Sequence, residues 1–222
     1  VISPADTAGG IPVVTALNRD KLGVFAGSSN GSNDIYEVEN DLMKIGISAK
    51  GGKIVSVQLK DYRTYDTLPL VLFDPSKTNF GLTFFANNRI INTNDLYFQP
   101  NDIDHFVITG KETKSISMRL YADQTDSTFN KNSYIEFLYT LKGNEYMLDF
   151  DINFVGMSKN IEQGTNYVEL RWDTELLQSE KGVDQFNGPT VYYKYMDDEV
   201  DFLSETKDDN EDLVTSVKWI GF

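Results

Sequence analysis

Between residues 133 and 155 apolar and polar side chains alternate almost without a break. Ile135, Phe137, Tyr139 and Leu141 share one side of a first segment. Tyr146, Leu148, Phe150, Ile152 and Phe154 share one side of a second. Successive side chains on a β-strand point to opposite faces. Alternation this long therefore means one buried and one wet face, as in an antiparallel sheet. The wet face of the second strand reads Glu145, Met147, Asp149, Asp151 and Asn153. Gly143-Asn144 between the strands suits a two-residue hairpin turn.

The same signal recurs elsewhere. Met43, Ile45 and Ile47 alternate in Leu42 to Ser48, Gly51-Gly52 supplies a turn, and Val55, Val57 and Leu59 alternate after it. Ile116, Met118 and Leu120 mark another strand, and two more are expected around Tyr167–Thr174 and Thr190–Tyr195. Helix is expected only as a short piece over Thr174–Phe186 and close to the C-terminus. Many strands with turn signals at short spacing predict an all-β sandwich or barrel with minor helix. Residues 1–34 are rich in Gly, Ser, Asn and Ala, and Ala26 to Asn33 is linker-like. Val13, Val14, Leu17, Val24 and Phe25 are the residues there able to lie against the domain.

Charge and composition remove several functions. The net charge is −14, from 34 Asp and Glu against 20 Lys and Arg. Phosphate binding rests on Lys and Arg, so a nucleic-acid role is not expected, and adsorption to an anionic bilayer is disfavoured. The absence of cysteine excludes disulfides, thiolate metal sites and thiol nucleophiles. No apolar run is long enough to span a membrane, and Val1-Ile2-Ser3-Pro4 is not a signal peptide. Both ends read as cuts from a longer protein.

Residues able to carry chemistry are few. His105 is the only histidine, so no metal site needing two histidines is possible within the chain. Asp149 and Asp151, like Glu169 and Asp173 around Arg171, are spaced as glycosidase carboxylates could be. They are also what alternation leaves on any wet strand face. Asp208 to Asp212 imitates a calcium loop, but Leu213 stands where that loop needs glycine. Asp123 to Ser127 reads as an acidic hairpin end. Neither Gly9-Gly10 nor Gly51-Gly52 belongs to a phosphate-binding pattern. Tyr192, Tyr193 and Tyr195 offer flat amphipathic area, and are the candidate interaction surface. No catalytic, cofactor-binding or metal-binding residue is assigned.

A set of landmarks resembles one family. They are Glu39-Asn40-Asp41-Leu42-Met43-Lys44-Ile45, then Lys50-Gly51-Gly52-Lys53 running into Leu59-Lys60-Asp61-Tyr62, then Leu68-Pro69-Leu70-Val71-Leu72-Phe73. Ser179 to Gly182, Val191 to Lys194 and Val217 to Phe222 follow. Over roughly residues 35–222 the chain resembles the large periplasmic domain of YidC-type membrane protein insertases. The resemblance implies an antiparallel β-supersandwich of the galactose-mutarotase-like kind. It implies that 1–34 is an extension following a transmembrane helix, 35–216 the sandwich, and 217–222 the start of a junction to the membrane-embedded part. The expected role is non-catalytic: positioning partners while the insertase helps inner-membrane proteins insert, fold and assemble, alone or with the Sec translocon. Expected partners are SecF-type Sec components and nascent membrane proteins, with the domain itself a monomer at the periplasmic face of the inner membrane. Mutarotases use a histidine acid and a glutamate base, and only His105 is present, so sugar chemistry is not expected to carry over. The competing readings are a carbohydrate-binding or carbohydrate-active domain on the same fold, and an unrelated surface adhesin or lipoprotein domain.

Overall fold

The computed structural model describes residues 16–102, 105–122, 130–161, 168–177, 180–182, 190–197, 199–203, 208–213 and 215–221. In chain order, α1 (Ala16–Leu22) runs into a 3-10 segment (Gly23–Ser29). There follow β1 (Ile35–Glu39), β2 (Met43–Ser48), β3 (Ile54–Arg63), β4 (Pro69–Val71), β5 (Phe73–Ala86) and β6 (Arg89–Asn92). After a 3-10 turn at Thr93–Asp95 come β7 (Gln99–Pro100), β8 (Phe106–Val107), β9 (Thr113–Tyr121), β10 (Tyr134–Lys142) and β11 (Leu148–Val155). The last strands are β12 (Glu169–Leu176), β13 (Val191–Tyr195), β14 (Val200–Leu203) and β15 (Val217–Gly221).

The chain divides into two compact units: residues 1–62 with 69–175, and residues 63–68 with 176–222. The first is an all-β sandwich with sheets in the orders β4-β3-β2-β1-β8, β11-β10-β9-β7 and β12-β5-β6. β1–β2, β2–β3, β5–β6, β7–β9, β9–β10 and β10–β11 pair antiparallel, and β1 pairs with β8 in parallel. Its core joins Val38, Ile45 and Ile47 with Ile116, Met118, Leu120, Ile135 and Phe137. The second unit holds one sheet in the order β14-β13-β15.

The long hairpin pairs the expected apolar faces, with Ile135 opposite Phe154, Phe137 opposite Ile152, Tyr139 opposite Phe150 and Leu141 opposite Leu148, two residues out of step with what a two-residue turn at Gly143-Asn144 would give. Its connection is longer than two residues, because the β10–β11 ladder ends at Leu141 and Leu148. Gly143 is used instead for close packing. Its N–H donates to the Glu112 carbonyl (2.9 Å) and its own carbonyl accepts from Asp41 N–H (2.9 Å). A Cβ there would lie 2.4 Å from the Thr109 carbonyl carbon. Gly51 and Gly52 do form a tight turn, with φ of 80° and 64°. The buried Tyr139 hydroxyl donates to the Gly52 carbonyl at 2.8 Å. Burial pushes the Tyr139 pKa up.

A bulge between Gly46 and Ile47 pairs Ile47 with Ile54. A bulge adds a residue to one strand and so exchanges which side chains face inward. Ile54, rather than the expected Val55, therefore joins Val57 and Leu59 against the core.

The stretch expected to be linker-like carries buried side chains. Phe25, Ala26, Gly27 and Ser28 are buried, Phe25 meets Phe84 edge-on at 5.7 Å, and the Ser28 hydroxyl donates to the Tyr121 carbonyl at 3.1 Å. Small residues here allow close approach. Leu17 is exposed, and Val13 and Val14 lie outside the described residues. Thr174 to Leu176 are strand, not the start of a helix. Thr78 and Thr174 hydroxyls hydrogen-bond (2.9 Å), and this cross-strand pairing outweighs the helix-forming potential of Glu175-Leu176. Of the rest of that expected helix, residues 178, 179 and 183–186 lie outside the described residues. The other expected helix, close to the C-terminus, is replaced over Val217–Gly221 by β15.

Candidate interaction surface

Each sheet of the first unit has two end strands, and β11 and β12 are the two that carry an aromatic seam. Both carry aromatic side chains that meet rings of β5. Phe80 of β5 meets Phe137 (6.4 Å), Phe150 (5.5 Å) and Trp172 (6.0 Å), each edge-on. Phe84 meets Phe154 at 6.4 Å. This aromatic seam starts in the core and surfaces at β12, where Trp172 is 55% exposed, and Leu170, on the same face, is 49% exposed. Phe154 of β11 is exposed as well. Exposed edge strands with apolar neighbours invite another strand to add.

The carboxylates singled out from the sequence occupy the wet faces of these two edges. Asp149 and Asp151 are exposed on β11, and Asp149 lies 3.7 Å from Lys142 Nζ. Glu169, Arg171 and Asp173 are exposed on β12, and Arg171 bonds Asp173 at 2.6 Å. That bond, helped by Asn79, lowers the Asp173 pKa. Charges on edge strands hinder uncontrolled pairing, and nothing encloses these groups in a cavity. His105 is an exposed residue beside β8. Asp208 to Leu213 is exposed, and Asp123 to Ser127 lies outside the described residues. No group of three potential metal ligands occurs among the described residues. A cleft of about 210 Å³ lies among Asn30, Ser32, Asp34, Tyr36, Tyr97 and Gln99. Ligand pockets usually start near ~300 Å³, so this one suits solvent.

The three tyrosines separate by strand alternation. Tyr192 is exposed, and its ring meets Phe202 at 5.9 Å. Tyr193 is only 5% exposed and meets Tyr195 edge-on at 5.7 Å. Desolvation, then the nearby Asp201 carboxylate, raises the Tyr193 pKa. Tyr192 thus faces away from the Tyr193–Tyr195 pair.

One polar cluster has no counterpart in the sequence reading. Glu136 is almost buried on the outer face of β10. It accepts from Ser117 Oγ (2.5 Å), Arg119 Nε (3.1 Å) and Asn153 Nδ2 (3.1 Å). Arg119 also lies over the Tyr134 ring, 4.5 Å from its centroid. Ser117 and Arg119 of β9, Glu136 of β10 and Asn153 of β11 come from three strands, and only the register brings them together.

The landmarks that carried the resemblance serve as a fastening between strands. Asn40, fully buried, donates to the carbonyls of Lys142 and Glu145 (both 2.8 Å) and accepts from the N–H groups of Leu42 (2.9 Å) and Met43 (2.7 Å). Glu39 pairs with Lys60 at 2.6 Å, and Lys60 also donates to the Asn40 carbonyl. Asp41 accepts from Gly110 N–H at 2.7 Å. Tyr62 meets Tyr146 edge-on at 6.3 Å.

The family model of the YidC periplasmic domain matches residues 35–222. The chain belongs to this family. It is similar to the "Membrane protein insertase YidC" of Parabacteroides distasonis, with 36% identity over 92% of the chain. It is similar also to those of Azobacteroides pseudotrichonymphae (32% over 95%) and Bacteroides fragilis (33% over 91%). The chain spans 30% of the length of the first of these relatives, 32% of the second and 31% of the third. As a YidC periplasmic domain it lies on the periplasmic side of the inner membrane. No described helix is long and apolar enough to cross that membrane.

Proposed function

We propose that this chain is the non-catalytic interaction and positioning module of a membrane protein insertase. It receives extended apolar segments of client proteins while the whole machine inserts, folds and assembles them, alone or with the Sec translocon. One observation supports this above the rest: the open edges of β11 and β12, flanked by Leu170, Trp172 and Phe154. An extended segment adds to such an edge through main-chain hydrogen bonds, and alternate side chains lie against the exposed apolar residues beside it. Membrane-protein segments leaving a translocon have that character before they fold. A SecF-type component is the second partner in this reading, brought by the family alone.

The test places a photo-crosslinking amino acid at Leu170 in the full-length protein, with Ser115 on the outer sheet face as control. Clients stalled during insertion should crosslink at Leu170 and not at Ser115, and Trp172→Ser should reduce the adduct. Equal labelling at both positions, or none at Leu170 during active insertion, would sink the reading. Turnover of a sugar by the purified chain, lost on Asp149→Asn or Asp151→Asn, would remove the word non-catalytic.

A further inference from the structure

The sheet of the second unit has one face with a composition unlike the rest of the chain. Directly opposed residues of an antiparallel pair project to the same side. The register therefore groups Tyr192 and Lys194 of β13 with Phe202 and Val200 of β14 and Trp219 of β15. The four apolar members are between 42% and 56% exposed. None of the five is acidic, in a chain with 34 Asp and Glu. Asp201 is opposed to Tyr193 and so points to the other side.

Tyrosine and tryptophan carry an apolar body with a polar tip. A lysine stem can lie along apolar surface while its ammonium stays in water. Phenylalanine and valine add greasy area. Together these residue types mark the boundary between lipid and water. An added strand fits less well. Strand addition would occur at the end strands β14 or β15 through their backbone, and not on this face, which consists of side chains from all three strands. The family places the chain beside the inner membrane, where a phospholipid surface is always at hand.

We propose that this face rests on the headgroup layer of the bilayer and binds it through Tyr192, Phe202 and Trp219 rather than through charge. The net charge of −14 then gives an unusual signature: zwitterionic lipid is preferred, and anionic lipid weakens the contact.

The experiment uses the whole 222-residue chain carrying Trp172→Phe, which leaves Trp219 as the only tryptophan. Vesicles of phosphatidylcholine alone should shift Trp219 emission to shorter wavelength, and bromine on the acyl chains should quench it. Mixing in phosphatidylglycerol should weaken binding. Tyr192→Ser and Phe202→Ser should each weaken it about fivefold, with circular dichroism unchanged. Co-sedimentation of the parental chain and of Phe202→Ser with the same vesicles gives the comparison without Trp172→Phe. Unchanged emission and no co-sedimentation at saturating lipid would overturn the proposal. So would tighter binding to anionic vesicles, or a lipid-free emission shift that tracks dimerisation in sedimentation. None of these outcomes bears on crosslinking at Leu170.

Discussion

Among the described residues, the first unit holds every buried hydrophobic side chain except Tyr193. The second unit has three strands of four or five residues and leaves Tyr192, Val200, Phe202, Trp219 and Ile220 exposed. Both use the same alternation of apolar and polar residues. In the first unit three sheets contribute to one core and cover the apolar positions. In the second a single sheet has two sides, and apolar residues appear on both. Alternation therefore reports which residues share a side, and the number of layers decides whether that side becomes core or contact surface.

Four substitutions sharpen or break that contrast. The largest effect belongs to Phe137→Ala. This ring is fully buried, with Phe98 at 4.7 Å and Phe150 at 5.4 Å. Its removal should cost about 3–5 kcal/mol in urea unfolding. A loss below ~1 kcal/mol would mean that the first unit is not held by its core. Next comes Asn40→Ala, which leaves two carbonyls and two N–H groups without their partner and should cost about 2–3 kcal/mol. Asn40→Asp should not restore it, because a carboxylate cannot donate to the Lys142 and Glu145 carbonyls.

The third effect depends on pH. Desolvation alone would raise the Glu136 pKa, but hydrogen bonds from Ser117, Asn153 and Arg119 outweigh it and hold the carboxyl below its ordinary 4.5. A depressed folded-state pKa contributes stability that is present above the unfolded value and lost as pH falls through the folded one. Urea unfolding at a series of pH values should show Glu136→Gln less stable than the parent at neutral pH. The gap should close below pH 4.5, and a gap that stays constant with pH would refute the assignment. The smallest effect is expected for Phe202→Ser, on the exposed face of the second unit: within about 0.5 kcal/mol. A loss as large as that of Phe137→Ala would show that this face is core after all.

The all-β class, the inward faces of the 134–155 hairpin and the Gly51-Gly52 turn were legible because each is encoded locally, whereas the hairpin's register, two residues out of step with a Gly143-Asn144 turn, was not. Other features depend on residues distant in sequence. The bulge that exchanges Val55 for Ile54 is set where β2 meets β3. The Ser117–Arg119–Glu136–Asn153 cluster needs three strands in register. The burial of Phe25 to Ser28 follows from a surface on β5 and β9 that local composition cannot announce. At the tyrosine cluster the sequence marks an aromatic strand, but only the pairing with Phe202 and Asp201 tells which ring faces water.

With a single amide Asn40 ties the β1–β2 turn and the start of β2 to the end of β10 and the connection after it. A rivet of that kind stops the layers sliding past each other. Surface positions around it are then free to drift without rebuilding the frame.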